Sequence, residues 1–161
     1  MRVNDPQNGF SLIELLVVVA IIGIIMAIAV PNILASRRAA NEGSALSAMR
    51  TIHSAQVTYL NTQGAGNYGT LTNLRDENLV DTTLGSGTKS GYTFNMPAGN
   101  LTAGPPATYF ATAVPQDTAA WTRSGTRSFT IAEDGIVRGK VSDTAAADHA
   151  AATTAATWPP L

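Results

Sequence analysis

The chain has 161 residues, a formal net charge of -1 and no cysteine. That excludes disulfides, thiolate metal sites, a cysteine nucleophile and a lipid-modified N-terminal cysteine, and it leaves no basic field to draw in nucleic acid. The length accommodates one domain plus an anchor.

Residues 1–9 form a short polar leader in which Asp5 opposes Arg2. The next 21 residues, Phe10 to Val30, read FSLIELLVVVAIIGIIMAIAV. As a helix they span about 30 Å, the thickness of a bilayer core. No polar face runs along them, as a soluble buried helix would show. Ala27-Ile28-Ala29 has the form of a secretory cleavage site. A secretory signal, however, has an apolar core of only about 7–15 residues. The helical pattern that continues after Pro31 also favours a retained span.

Glu14 is the anomaly in this run. A charge well inside a bilayer costs about 2.5–3.5 kcal/mol, and less near an end. Either Glu14 reaches interfacial water or it has a positive partner, and the run contains no cation. A cut after Gly9 would create an α-amino group at Phe10, one helical turn from Glu14. That spacing permits pairing within a chain or between neighbours.

The order of polar leader, Gly9, Phe10, Ser-Leu-Ile-Glu and an apolar run to Pro31 resembles the class III signal of type IV pilins and type II secretion pseudopilins. The likeness covers roughly Gly9 to Leu60, and GFSLIELL is its specific part. The resemblance implies cleavage between Gly9 and Phe10 by a membrane prepilin peptidase that also methylates the Phe10 amine. It implies a pairing role in assembly for Glu14 and a helix kink at Pro31, with Gly23 as a second candidate kink position. One feature departs from the family pattern. Its leaders carry several Lys or Arg, whereas this one has Arg2 alone, and Arg37, Arg38 and Arg50 lie beyond the span. A cytoplasmic N-terminus is still expected, because long domains translocate largely regardless of such charges.

After Pro31 the pattern becomes amphipathic. Leu46, Met49, Ile52, Tyr59 and Leu60 recur at helical spacing, with Arg37, Arg38, Asn41, Glu42 and Arg50 as polar positions. Pro31 lacks an N–H and crowds the preceding turn, which predicts a kink or local melting near Ala27. Gly64-Ala65-Gly66 ends the helix. His53 reads as a polar position on this spine rather than a catalytic base.

Residues 67–90 read as a loop-rich connection, with LTNLRDENLVD as a possible short helix. Strands are expected at GYTFNM, at ATYFATAV, and as a pair around Asp134-Gly135 in RSFTIAEDGIVRGKV. Three or four antiparallel strands on the helix give an α+β fold. The resemblance implies the same architecture, a long N-terminal helix packed on a small antiparallel sheet. The stretch from Asp143 onward is rich in Ala and Thr and is expected to be flexible, with a surface helix or a partner-dependent segment as the alternative and Trp158-Pro159-Pro160 as a point of contact. The expected partition is a leader at 1–9, a membrane and filament-core helix at 10–31 and an amphipathic helix at 32–63. A loop and sheet head at 64–142 and a tail at 143–161 complete it.

Catalytic chemistry does not assemble from this sequence. GSGTKSG lacks the Gly-Lys pair and following helix of a phosphate loop and reads as a turn. Asp76, Glu77 and Asp81, or Glu133 and Asp134, lack the spaced ligands of a calcium loop. Asn100-Leu101-Thr102 fits a glycosylation acceptor, a triplet common by chance. His53 and His149 stand in unrelated contexts. The expectation is a non-enzymatic filament subunit with no cofactor and no metal. Its partners would be copies of itself, the prepilin peptidase and methyltransferase, the inner-membrane assembly machinery and, before assembly, the lipid bilayer. It would begin as a single-pass precursor in a bacterial inner membrane and end in a cell-surface or periplasmic filament. The alternatives are a secretion pseudopilin, a minor or DNA-uptake pilin, and a tethered binding module that never polymerises. From Gly64 onward six Lys or Arg face eight Asp or Glu, so nucleic acid is not an expected partner.

Overall fold

The computed structural model describes residues 9–97 and 107–161. The chain divides into two compact units, one ending at Ser36 and one running Arg37–Leu161. Helix α1 (Leu12–Asn61) contributes to both.

In the first unit the side chains of Leu12, Ile21, Ile24 and Ile28 are each more than half exposed. Among the described residues, α1 is the helix long and apolar enough to cross a membrane. It runs without interruption through Gly23, Ala27 and Pro31. The melting expected near Ala27 is therefore absent. Losing one hydrogen bond to a proline does not outweigh the good helix formers on both sides.

In the second unit α1 buries Ala45, Ala48, Met49, Ile52 and Ala55, a stripe at three- and four-residue spacing. Leu46 and Tyr59 pack at its margin. The helix ends where Gly64 donates its amide to the Tyr59 carbonyl at 2.7 Å. A Cβ on Gly64 would overlap the Asn67 carbonyl oxygen, so only glycine fits there. Short helices α2 (Leu71–Asp76) and α3 (Thr82–Gly85) follow, capped by the side chains of Thr70 and Asp81.

The sheet is an antiparallel meander of β1 (Thr88–Lys89), β2 (Tyr92–Asn95), β3 (Phe110–Pro115), β4 (Arg127–Ala132) and β5 (Arg138–Val141), adjacent in chain order. It has one strand more than expected, because GSGTKSG contains β1 as well as a turn. Ser90 and Gly91, at φ 49° and 73°, close that turn onto β2. The pair around Asp134-Gly135 forms as β4 and β5.

Strand alternation sorts the side chains into two cores. Tyr92, Phe94, Ala111, Ala113, Phe129 and Ile131 join the α1 stripe. Phe110 and Ala132 point the other way and meet Ala146, Ala152 and Trp158. The tail, for which flexibility or a surface helix was expected, contains a short helix and packs on the sheet. Helix α4 (His149–Thr153) is capped by Asp148, and Trp158 is only 3% exposed. One aromatic anchor and small alanines suffice for burial because the sheet supplies the rest of the apolar surface.

The large buried side chains Met49, Ile52, Tyr92, Tyr109, Phe129 and Ile131 all lie in the second unit. Each contributes about 1.5–3 kcal/mol. A fragment spanning Arg37–Leu161 is therefore expected to fold alone, with one cooperative melt by circular dichroism and a monomeric mass by light scattering. Aggregation or disorder of that fragment would show that the apolar span or neighbouring copies are needed for folding.

Candidate assembly site at the start of the long helix

Ser11 precedes the first helical residue, and its carbonyl accepts the Leu15 amide at 3.2 Å. Its own amide, one of those a helix start leaves unpaired, donates to Oε2 of Glu14 at 3.1 Å. The carboxylate thus sits at the positive end of the helix, where the peptide dipoles favour negative charge. The apolar run holds no side-chain cation for Glu14; the partner in the chain is a backbone amide. The missed signal was Ser11-Leu12-Ile13-Glu14, the S-x-x-E spacing of a capping box.

Phe10, Ile13, Glu14, Val17 and Val18 line a shallow apolar recess beside the carboxylate. Phe10 is 83% exposed, so the residue that would carry a new amine is accessible. A Cβ placed on Gly9 or on Gly23 meets nothing within 4 Å. Packing within the chain therefore gives neither glycine a reason to be glycine. The leader residues before Gly9 lie outside the described residues.

The polar candidates of the second unit have structural partners. Glu42, 8% exposed, accepts from the Thr126 amide at 2.8 Å, the Thr126 hydroxyl at 2.7 Å and Nε of Arg127 at 2.9 Å. Burial raises its pKa, but these hydrogen bonds outweigh that and hold the carboxyl below its ordinary range. The neighbouring Asn41 donates to the Ser124 carbonyl at 2.9 Å. Together they fasten the segment before β4 to α1, a role the sequence pattern did not reveal.

His53 shares a 2.7 Å hydrogen bond with the Tyr109 hydroxyl, whose pKa burial drives far upward. His149 bridges to Glu133 at 2.8 Å. Asp76 pairs with Arg75 and Asp81 with Lys89, while Asp134 holds Arg138 through both carboxylate oxygens. Among the described residues no three His, Asp or Glu side chains converge as metal ligands. Asn100 to Thr102 fall outside the described residues.

Comparison with known proteins points to the same N-terminal region. The model of the prokaryotic N-terminal methylation motif matches residues 4–30. The type IV major pilin protein PilA of Myxococcus xanthus is 40% identical over 58 residues, 36% of this chain and 26% of that protein. The type II secretion system core protein G of Escherichia coli is 36% identical over 59 residues, 37% of this chain and 41% of its own length. The type IV wide pilus major component PilA4 of Thermus thermophilus is 59% identical over 35 residues, 22% of this chain and 27% of that protein. The aligned region thus spans between about a quarter and two fifths of these relatives. No solved structure matches. The chain carries the prokaryotic N-terminal methylation motif at residues 4–30 and is similar, over part of its length, to type IV pilins and to a type II secretion core protein.

Proposed function

We propose that the chain is the precursor of a structural subunit of a type IV pilus-like filament, without enzymatic activity of its own. The observation that carries this reading is the methylation motif ending in an apolar helix whose first turn holds an exposed carboxylate. A prepilin peptidase removes residues 1–9 and the new amine of Phe10 is methylated. The precursor spans the inner membrane once, and the assembly machinery moves it into a cell-surface or periplasmic filament. Leaving lipid is feasible only where helix contacts replace lipid contacts. The open surface at Gly23 allows such close approach, since small residues let helices pack tightly. Glu14 fixes register by meeting the amine of an adjacent copy, a use to which ionic groups in apolar surroundings are suited. Gly23 and Pro31 remain the proposed points of bending during that transfer.

A second reading, a type II secretion pseudopilin, is supported by the similarity to core protein G over 59 residues.

Glu14→Ala is expected to leave membrane insertion and the fold of the second unit intact while surface filament yield falls at least tenfold, as read by electron microscopy of sheared material. Intact mass of the native subunit should begin at Phe10 with one added methyl group. Undiminished filaments from the variant would sink the pairing role, and a native start at Met1 would sink the processing.

A further inference from the structure

No charged residue lies between Glu14 and Arg37, so Arg37 and Arg38 are the first cations after the apolar run. Both belong to α1, where Arg37 is exposed and Arg38 half-buried. Arg75, Lys89, Arg123, Arg127 and Arg138 each pair with a carboxylate. Arg37 and Arg38 pair with none among the described residues.

The cause lies one turn away. Glu42 stands four residues after Arg38, a spacing at which ion pairs form along a helix. Its carboxylate is turned to the sheet instead. Oε1 accepts from Thr126 at 2.8 and 2.7 Å, and Oε2 accepts from Arg127 at 2.9 Å. Asn41 is likewise committed to the Ser124 carbonyl. Packing the sheet on α1 therefore removes the local counter-charge and leaves two adjacent guanidinium groups without one.

The helix also sets how far they stand from the apolar run. Arg37 follows Val30 by seven residues along α1, a rise of about 10 Å. Helical side chains lean toward the N-terminus, which brings both guanidinium groups back toward the run. A headgroup layer is about 5–8 Å deep on each side of the hydrocarbon. With the apolar run in a bilayer, the pair stands at the level of the phosphates. Arg50 lies a further 12 residues along, about 18 Å, and stands clear of them.

We propose that Arg37 and Arg38 bind the phosphate of an anionic phospholipid in the leaflet opposite the leader, and so fix the depth of the precursor in the membrane. The inference rests on the membrane-spanning reading above. A planar guanidinium meets two phosphate oxygens at once, and no carboxylate in the chain competes for this pair. Each cation at an anionic surface strengthens association roughly fivefold. These contacts are the ones that break when the helix leaves the bilayer.

The chain has no cysteine, so Ser36→Cys gives a single thiol beside the pair. The full-length variant, with a fluorophore on that thiol, is reconstituted in phosphatidylcholine vesicles. These hold a small share of nitroxide-labelled phosphatidylglycerol or nitroxide-labelled phosphatidylcholine. Quenching by the labelled phosphatidylglycerol is expected to be about fivefold stronger or more. Adding Arg37→Gln and Arg38→Gln together should reduce that preference below about twofold, whereas Arg37→Lys with Arg38→Lys should keep part of it. Equal quenching by the two lipids overturns the anchor, and so does a preference that the glutamine pair leaves unchanged. Alkaline extraction of the same vesicles separates the two readings. A chain that washes out overturns the membrane span itself, while a chain that stays in but shows no lipid preference overturns the anchor alone.

Discussion

Trp158→Ala is expected to lower the stability of the Arg37–Leu161 unit by about 3–5 kcal/mol, the usual range for removing a buried tryptophan. A small domain has only about 5–15 kcal/mol in total, so this single change should shift the melting temperature by tens of degrees or leave the unit partly unfolded. Two effects add. The indole, 3% exposed, leaves a cavity beside Phe110 and Ala132. The segment whose Pro160 bridges to Arg138 also loses its anchor, and Arg138 is 5% exposed with no hydrogen-bond partner for its Nε among the described residues. Trp158→Phe keeps most of the volume and should recover more than half of the loss. Thermal melts of the three chains check this. A change below about 1 kcal/mol for Trp158→Ala would mean that the segment contributes no core.

Glu42→Ala should cost about 2–3 kcal/mol, through the hydrogen bonds made to its carboxylate. Most of this arises at Thr126, whose amide and hydroxyl both donate to Oε1. The ion pair contributes the smaller share, because the Arg127 side chain is 38% exposed and solvent screens it. Glu42→Gln, which keeps an acceptor for Thr126, should therefore cost less than half as much. The pH dependence has a definite sign. The folded-state pKa of Glu42 lies below its unfolded value, and so does that of Asp134, where hydrogen bonds from Arg138 outweigh the opposing effect of burial. Such groups contribute stability that is fully present above the unfolded carboxyl values, about 3.9–4.3, and lost as pH falls through the folded ones. Acid titration of the melting temperature should show this loss, and Glu42→Ala should flatten part of it. An unchanged acid slope in that variant would remove Glu42 as a contributor.

The sequence by itself determined the parts governed by local periodicity and local chemistry. An apolar run of membrane length, a three- and four-residue stripe through Met49 and Ile52, and a turn signal at Asp134-Gly135 each follow from spacing along the chain. They gave the helix, the hairpin and the α+β class. The GFSLIELL stretch was legible because its signature lies in the order of adjacent residues and needs no distant partner. Tertiary structure decided what depends on a partner distant in sequence. Glu42 reads as one more polar helix position until Thr126 and Arg127 lie against it. Trp158, Pro159 and Pro160 look like the end of a featureless Ala/Thr stretch. Only the sheet supplies the pocket of Phe110 and Ala132 and the β5 edge that give them a place. Burial is a property of both surfaces in a contact, and a segment poor in apolar residues gives no sign of the half that the rest of the chain provides.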